Sequence, residues 1–211
     1  MVMTSTAPAE QRVLLQNISW QLFESVLNAM GEDNHNRISY YQGKLEFMSP
    51  LWVHENSNRL IERLIVTFLE ELNFEYDLAG SLTLKREDMA VGKEPDSSYY
   101  IQNEAQVRGK NKIDLTEDPP PDLVLEIDIT SSSLNQLAIY ADLGVPEVWR
   151  YDGNALQFYQ LQNKQYLECD RSPTFPILSP NKVIEFLEEC QTLGLVTAVR
   201  QLRTWIKEQL K

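Results

Sequence analysis

The sequence predicts an α/β (α+β) fold in which helices flank a mixed sheet, with an N-terminal hairpin and C-terminal helices added to it. Apolar residues recur at helical spacing through residues 55–73, which predicts a long amphipathic helix. Apolar and acidic residues alternate through residues 121–129, as they do in a strand with one buried face. Because a helix and a sheet each bury one apolar face, packing the long helix on the sheet is the economical arrangement.

The first half of the chain is predicted to begin with a short helix and a β-hairpin. Ser19 can cap the helix, and Gln42-Gly43 separates two short strands as a hairpin turn does. The elements expected here are a helix at 20–30 that ends in residues 31–34, strands at 37–42 and 44–49, the long helix at 55–73 and a strand at 77–86.

The second half is predicted to contain two acidic strands, a second hairpin and two closing helices. The serines at 131–133 can cap the helix after the second acidic strand, and Gly144 ends that helix. The elements expected here are strands at 94–101 and 121–129, a helix at 134–143, strands at 147–151, 155–162 and 165–169, and helices at 181–190 and 197–209. We expect one domain over 1–211, with a core at about 37–170 and helical additions at 19–30 and 180–211.

Composition favours a cytoplasmic protein. Hydrophobic residues make up 43% of the 211 residues, but no stretch approaches the length of a membrane span and the N-terminus lacks the pattern of a secretion signal. Cys169 and Cys190 are too far apart in sequence to suggest a zinc site or a disulfide framework. We therefore expect a reducing compartment and no membrane contact.

The net charge of −12 disfavours a protein that binds nucleic acid through a broadly basic surface. Basic contacts would have to be local, and the best cluster is Arg108, Lys110 and Lys112 in the loop between the two acidic strands. Phosphate contact and ordinary solvated loop charge explain this cluster equally well.

Acidic residues on the two neighbouring strands can converge. Side chains alternate along a strand, so Glu126 and Asp128 should share a face opposite Leu125. If the strands pair, Asp96 and Glu126 come together, and two carboxylates held together suit a hard divalent cation such as Mg²⁺. Such a cation can lower the pKa of a water and neutralise phosphate charge in phosphodiester hydrolysis. The simpler interpretation is a half-exposed strand whose acidic side faces solvent.

Several stretches of the chain resemble one protein family. They are Pro-Asp-Leu-Val-Leu-Glu-Ile at 121–127, the block at 139–152 that contains Tyr-Ala-x-x-Gly-Val-Pro-Glu-x-Trp, and the upstream segments Gly43–Pro50 and Glu94–Asp96. Together they are similar to the Uma-type restriction endonucleases, which are common in cyanobacteria and belong to the PD-(D/E)xK nuclease superfamily. The resemblance extends from the first hairpin to the C-terminal helices, and the Tyr-Ala block is its most specific part.

The resemblance implies a restriction-endonuclease-like core and a Mg²⁺- or Mn²⁺-dependent endonuclease that cleaves DNA. Asp96 would be the aspartate of the PD motif, Glu126 the acid of the following strand, and the backbone carbonyl of Ile127 a further metal ligand. Glu46 matches an acidic position of the family before Met-Ser-Pro, where it would complete the site or position a water. Alternatively, Glu46 is a surface acid of the hairpin.

The start of the long helix carries two further candidates. His54 and Glu55 could face the site. Acids at a helix N-terminus also interact favourably with the helix dipole and then need no catalytic role. The second interpretation is the simpler one.

The lysine with which the superfamily orients the attacking water is missing from its usual place. Asp128 stands two residues after Glu126, and in Uma-type proteins the lysine is displaced to the next helix, where this chain has Gln136. Gln136 and Tyr140 are four residues apart and share a helical face. Glutamine can hydrogen-bond a water or a phosphate oxygen but brings no charge, and Lys85 is a speculative substitute. If Gln136 holds the place of the lysine, Gln136→Lys is expected to raise cleavage.

Three functions remain open from the sequence. Asp96 and Glu126 favour a metal-dependent DNA endonuclease, whereas Gln136 and the acidic charge favour a non-catalytic module of the same fold that binds metal or nucleic acid. The third is a protein-interaction domain that could form a homodimer through its terminal helices. An exposed apolar stripe would favour that third function, and its members would be Val199, Leu202, Trp205, Ile206 and Leu210.

Overall fold

The computed structural model describes residues 10–31, 35–130 and 132–211, and these form two sheets surrounded by helices. The first half contains β1 (Glu10–Gln16), α1 (Trp20–Met30), β2 (Arg37–Tyr41), β3 (Lys44–Pro50), α2 (Trp52–Glu71), β4 (Asp77–Leu78), β5 (Leu84–Arg86), β6 (Val91–Lys93) and β7 (Ser97–Tyr100). The second half contains α3 (Glu104–Val107), β8 (Leu123–Ile127), α4 (Gln136–Leu143), β9 (Glu147–Tyr151), β10 (Leu156–Gln162), β11 (Gln165–Cys169), α5 (Pro180–Leu193) and α6 (Leu195–Gln209).

The larger sheet is mixed, as predicted. Its six strands lie in the order β11-β10-β9-β8-β7-β4. β7 and β8 pair antiparallel, with Ser97 opposite Leu125, whereas β8 and β9 pair parallel. A parallel pair needs a crossover connection, and α4 provides it between β8 and β9.

The alternation in β8 sorts its side chains onto two faces. Leu125 and Ile127 lie in the main core with Leu64 and Phe68 of α2, which confirms the predicted packing of the long helix on this strand. Val124 belongs to a second core, formed with α4. Thus β8 is buried on both faces and has no solvated side.

The smaller sheet was predicted only as a hairpin. Its five strands lie in the order β1-β3-β2-β6-β5, and α1 packs on it through a small aromatic core that includes Phe23 and Tyr40. β1 was not predicted, because apolar and polar residues do not alternate along it. Its pairing with β3 is what defines it as a strand. The strand predicted at 77–86 is wrong as one element. It divides into β4, in the larger sheet, and β5, in the smaller sheet.

Two predicted helix starts are tested by their capping residues. Ser19 caps α1 as predicted, since its hydroxyl accepts a hydrogen bond from the Leu22 N–H at 3.2 Å. The serine cap predicted for α4 is wrong, because the side chain of Asn135 accepts from the Ala138 N–H instead. Ser131 of that serine run and residues 32–34, predicted to end α1, lie outside the described residues.

Most of the apolar stripe on the last helix, whose exposure would have favoured a protein-interaction domain, is packed in the core, and Leu210 alone of its five members is exposed. Leu202 and Ile206 are fully buried, and Val199 nearly so, because α6 packs against α2 and α5. Within the described ranges, no helix is both long enough and apolar enough to cross a membrane.

Candidate active site

The two predicted acids lie opposite each other across β7 and β8. The register that pairs Ser97 with Leu125 places Asp96, just before β7, across from Glu126. The Ile127 N–H donates to Asp96 Oδ2 at 2.8 Å, so the end of β8 holds the aspartate in place. Asp96 is 4% and Glu126 6% exposed. The half-exposed strand with a solvated acidic side is therefore wrong for these residues.

Glu126 is held by two groups from different elements. The hydroxyl of Tyr140, on α4, donates to Oε1. The ammonium of Lys93, at the end of β6, lies 3.2 Å from Oε2. The carboxylate therefore joins the larger sheet to the smaller sheet and to the crossover helix.

The two carboxyl groups have different acidities. Burial opposes ionisation of Asp96, but the adjacent His54 imidazole, the charge of Lys93 and the hydrogen bond from the Ile127 N–H outweigh it and hold the pKa below its usual value. Burial raises the pKa of Glu126, and the nearby charge of Asp96 adds to this rise, against Lys93 and Tyr140. Asp96 is thus the more readily ionised member of the pair.

His54 contacts the site, contrary to the simpler interpretation of the helix start. It is fully buried in the first turns of α2, and its Nε2 lies 3.3 Å from Asp96 Oδ2 and 3.5 Å from Glu10 Oε2. Burial lowers the pKa of His54, but the carboxylates of Asp96, Glu10 and Glu126 raise it above its usual value overall. Glu55 instead forms a surface ion pair with Arg59 and takes no part in this cluster.

Several polar atoms around Asp96 are buried without a hydrogen-bond partner. They include Asp96 Oδ1, Glu10 Oε2 and both ring nitrogens of His54. Arg37 Nε also lacks a hydrogen-bond partner, and it forms an ion pair with Asp96 Oδ1 at 3.6 Å. Because buried polar groups are usually satisfied, these atoms mark a place where a ligand, an ion or water can bind.

Glu46 is 1% exposed, so the interpretation as a surface acid of the hairpin is wrong. Its Oε1 accepts from Arg12 at 2.9 Å and from Ser132 Oγ at 2.6 Å, and its Oε2 accepts from the Ser133 N–H at 2.9 Å. Arg12 also contacts Asp128 at 3.2 Å. Glu46 therefore ties β1 and β3 to the segment between β8 and α4.

Gln136 begins α4 one turn before Tyr140. Its Nε2 donates to Ser132 Oγ at 2.6 Å, and its Oε1 is buried without a partner. Lys85, the speculative substitute for the missing lysine, pairs with Glu24 at 2.7 Å on the surface. Neither side chain forms a described hydrogen bond with Asp96 or Glu126.

The basic loop is engaged in local ion pairs. Arg108 pairs with Glu104 one helical turn earlier at 2.5 Å, and Lys110 pairs with Asp118. The basic side chains of Arg108 and Lys110 are 62% and 43% exposed, which agrees with solvated loop charge.

Four residues around the carboxylate pair, Glu10, Arg12, Arg37 and Lys93, were not predicted from the sequence. Glu10 and Arg12 belong to β1, whose position depends on pairing with β3. Lys93 immediately precedes Glu94-Pro95-Asp96, and no apolar or charge pattern around it predicts a buried position. Its nearness to the PD motif in sequence was the only signal that could have identified it.

The donor set fits a hard divalent cation held by few protein ligands. Within the described ranges, no group of three or more His, Cys, Asp or Glu side chains is arranged to hold a metal ion. Asp96 nevertheless offers a buried oxygen without a hydrogen bond beside a second carboxylate. One or two carboxylates, completed by water and substrate oxygens, are a usual ligand set for Mg²⁺.

Comparison with known proteins gives a family and a remote structural likeness. A family model described as "Uma2: Putative restriction endonuclease" matches residues 20–193. A solved chain from Anabaena variabilis, described as "a putative nuclease belonging to DUF820", is 15% identical, with a TM-score of 0.48 and coverage of 70% of this chain and 89% of that one. No curated protein matches the chain.

Proposed function

The chain belongs to the Uma2 family, and from that premise we propose that it is a Mg²⁺- or Mn²⁺-dependent endonuclease that hydrolyses DNA phosphodiester bonds. The observation that carries the proposal is the facing pair of buried carboxylates, Asp96 and Glu126, in which Asp96 Oδ1 has no hydrogen-bond partner. A pair of buried acids without a ligand is costly, and a divalent cation between them would remove that cost.

Asp96, Glu126 and the carbonyl of Ile127 would hold the cation. The Ile127 N–H points toward Asp96, and in an extended strand the carbonyl of the same residue lies on the same side. When bound, the cation would neutralise phosphate charge and lower the pKa of a water.

The other two proposed site residues would act around this pair. Gln136 has a free, buried Oε1 that can accept a hydrogen bond from a water at the site. Glu46 accepts from Ser132, which in turn accepts from Gln136, so Glu46 would fix the position of the glutamine rather than contact the reacting atoms.

The test is cleavage of plasmid and single-stranded DNA with Mn²⁺, together with calorimetric titration of Mn²⁺ into the protein. Asp96→Ala and Glu126→Gln are expected to abolish both binding and cleavage. Asp170→Ala is the matched control, because Asp170 is exposed and distant in sequence from the site. If the parent cleaves DNA and Asp96→Ala cleaves it at the same rate, the proposal is contradicted.

A second candidate function is a non-catalytic module that binds metal or nucleic acid. Gln136 favours it, because this chain has no charge at the position where the family resemblance places a lysine. Mn²⁺ binding that depends on Asp96, without cleavage of either DNA form, is the outcome expected of such a module.

A further inference from the structure

Lys93 forms a buried ion pair inside the candidate site. Its Nζ lies 3.2 Å from Glu126 Oε2, and its side chain is 3% exposed. The residue ends β6 in the smaller sheet, where it faces Ser39 of β2 and Leu84 of β5. A positive charge from one sheet is thus placed against a carboxylate of the other.

The ordinary interpretation is a structural ion pair between the two sheets. Burying such a pair seldom stabilises a protein more than apolar residues of similar size would, because both charges lose their hydration. The charge of Lys93 also acts on Asp96, whose pKa it helps to lower, so it reaches both members of the carboxylate pair. Burying a cation beside two acids costs free energy. A site that binds an anionic substrate would make use of such a positive charge.

We propose that Lys93 is the catalytic cation of this site and takes the role of the lysine that this chain lacks at position 136. The inference rests on the proposed nuclease function. It assigns to β6 a role that the family resemblance places on α4. Lysine suits this role because its ammonium is a compact charge on a flexible stem with three hydrogen-bond donors.

In the reaction, the Lys93 ammonium donates hydrogen bonds to the attacking water and to a non-bridging phosphate oxygen. The water oxygen forms a bond to phosphorus while the bond from phosphorus to the leaving oxygen breaks. The water loses one proton to solvent and the leaving oxygen takes one from solvent, so one water is consumed and a phosphate monoester and a hydroxyl result. Lys93 keeps its proton and stabilises the charge that develops on the phosphate.

The test compares four full-length proteins: the parent, Lys93→Gln, Gln136→Lys and the exchange variant that carries both substitutions. The readouts are Mn²⁺-dependent plasmid cleavage, Mn²⁺ affinity by calorimetry and thermal unfolding by circular dichroism. Lys93→Gln is expected to cleave about 10²-fold more slowly, the loss typical of removing one stabilising donor. It should bind Mn²⁺ at least as tightly as the parent, because a cation that competes for Glu126 is gone.

The two remaining variants show whether one positive charge at the site is enough for cleavage, whichever element supplies it. The exchange variant is expected to regain at least about tenfold of the lost rate, because the ammonium enters from α4. Gln136→Lys alone is not expected to cleave faster than the parent, since Lys93 already supplies the charge. If no residue of the parent supplied this charge, Gln136→Lys alone would instead be expected to raise the rate of cleavage.

Three results would overturn the inference while leaving the nuclease function intact. They are parent-like cleavage by folded Lys93→Gln, loss of cleavage together with loss of Mn²⁺ binding in that variant, and a large gain in Gln136→Lys alone. If Lys93→Gln does not fold, Lys93→Arg decides, because it keeps the ion pair but is expected to cleave about tenfold more slowly. Parent-like cleavage by the arginine variant would overturn the role of the lysine. If the parent protein does not cleave DNA at all, both the proposed function and this inference are contradicted.

Discussion

The Tyr140 hydroxyl donates to Glu126 Oε1, so a residue of the crossover helix orients the acid of the strand that precedes it. Burial and the charge of Glu126 raise the pKa of Tyr140 well above its usual value, which keeps the hydroxyl protonated and a donor. This contact gives the Tyr-Ala part of the family block a physical role. It fixes one carboxylate oxygen and leaves the other to Lys93.

Tyr140→Phe is expected to weaken Mn²⁺ binding and cleavage by about 10–100-fold, because groups that orient a metal ligand have effects of this size. Calorimetry and the plasmid assay measure the two effects. Tyr151→Phe is the matched control, since the hydroxyl of that half-buried tyrosine donates to the Gly153 carbonyl at 2.8 Å and its ring packs against the main core. Equal losses in the two variants would show that the hydroxyl of Tyr140 has no special part.

Leu125→Ala is expected to destabilise the protein by about 2–5 kcal/mol, because the side chain is fully buried between β8 and α2 and its loss leaves a cavity. Urea denaturation measures the change in the free energy of unfolding. Leu167→Ala, at a half-exposed position of β11, is expected to cost much less. A loss below about 0.5 kcal/mol at Leu125 would mean that this face of β8 is not packed as described.

Local sequence predicted those parts of the fold that depend on local backbone geometry. The period of two in β8 placed Leu125 and Glu126 on opposite faces, since alternation is a property of any extended strand. The same reasoning brought Asp96 toward Glu126 once the two strands paired. The hairpin around Gln42-Gly43 was found for a similar reason, because a tight turn requires particular residues at adjacent positions.

The missed parts depend on contacts between distant segments. Glu10 reaches Thr130, 120 residues away, through its Oε1, and no pattern near either residue indicates this. β6 has three residues, too few to show a period, so Lys93 could not be assigned to a buried face. Acidic residues on strands are usually at least half-exposed, so local sequence does not predict that Glu46 is buried. Its burial follows from the pairing of β3 with both β1 and β2.

Arg12→Met is expected to destabilise the protein by about 3–5 kcal/mol, because it leaves buried carboxylates without their common cation. The guanidinium contacts Glu10 at 2.9 Å, Glu46 at 2.9 Å and Asp128 at 3.2 Å. Arg59→Met is the control. The Arg59 side chain is 61% exposed, and surface ion pairs contribute about 0–1 kcal/mol. Similar urea midpoints for the two variants would contradict the role assigned to Arg12.

Glu147→Gln tests whether the acid of the Val-Pro-Glu-x-Trp block is structural. Its Oε1 accepts from Trp149 Nε1 and Ser172 Oγ, both at 2.6 Å, and its Oε2 accepts from the N–H of Thr174 at 2.8 Å. Every described partner is a neutral donor, so the carboxylate joins β9 to the loop before α5 and faces no cation.

A glutamine at position 147 has one acceptor oxygen, and its amide group would meet a donor on the other side. We expect a loss of about 1–3 kcal/mol in the free energy of unfolding, the cost of leaving a buried polar group unsatisfied. Mn²⁺ affinity should be unchanged, because Glu147 contacts neither Asp96 nor Glu126. Glu168→Gln, at an exposed position of β11, is the control and should change neither quantity. A drop in Mn²⁺ affinity in folded Glu147→Gln would place this acid in the site and contradict the structural role.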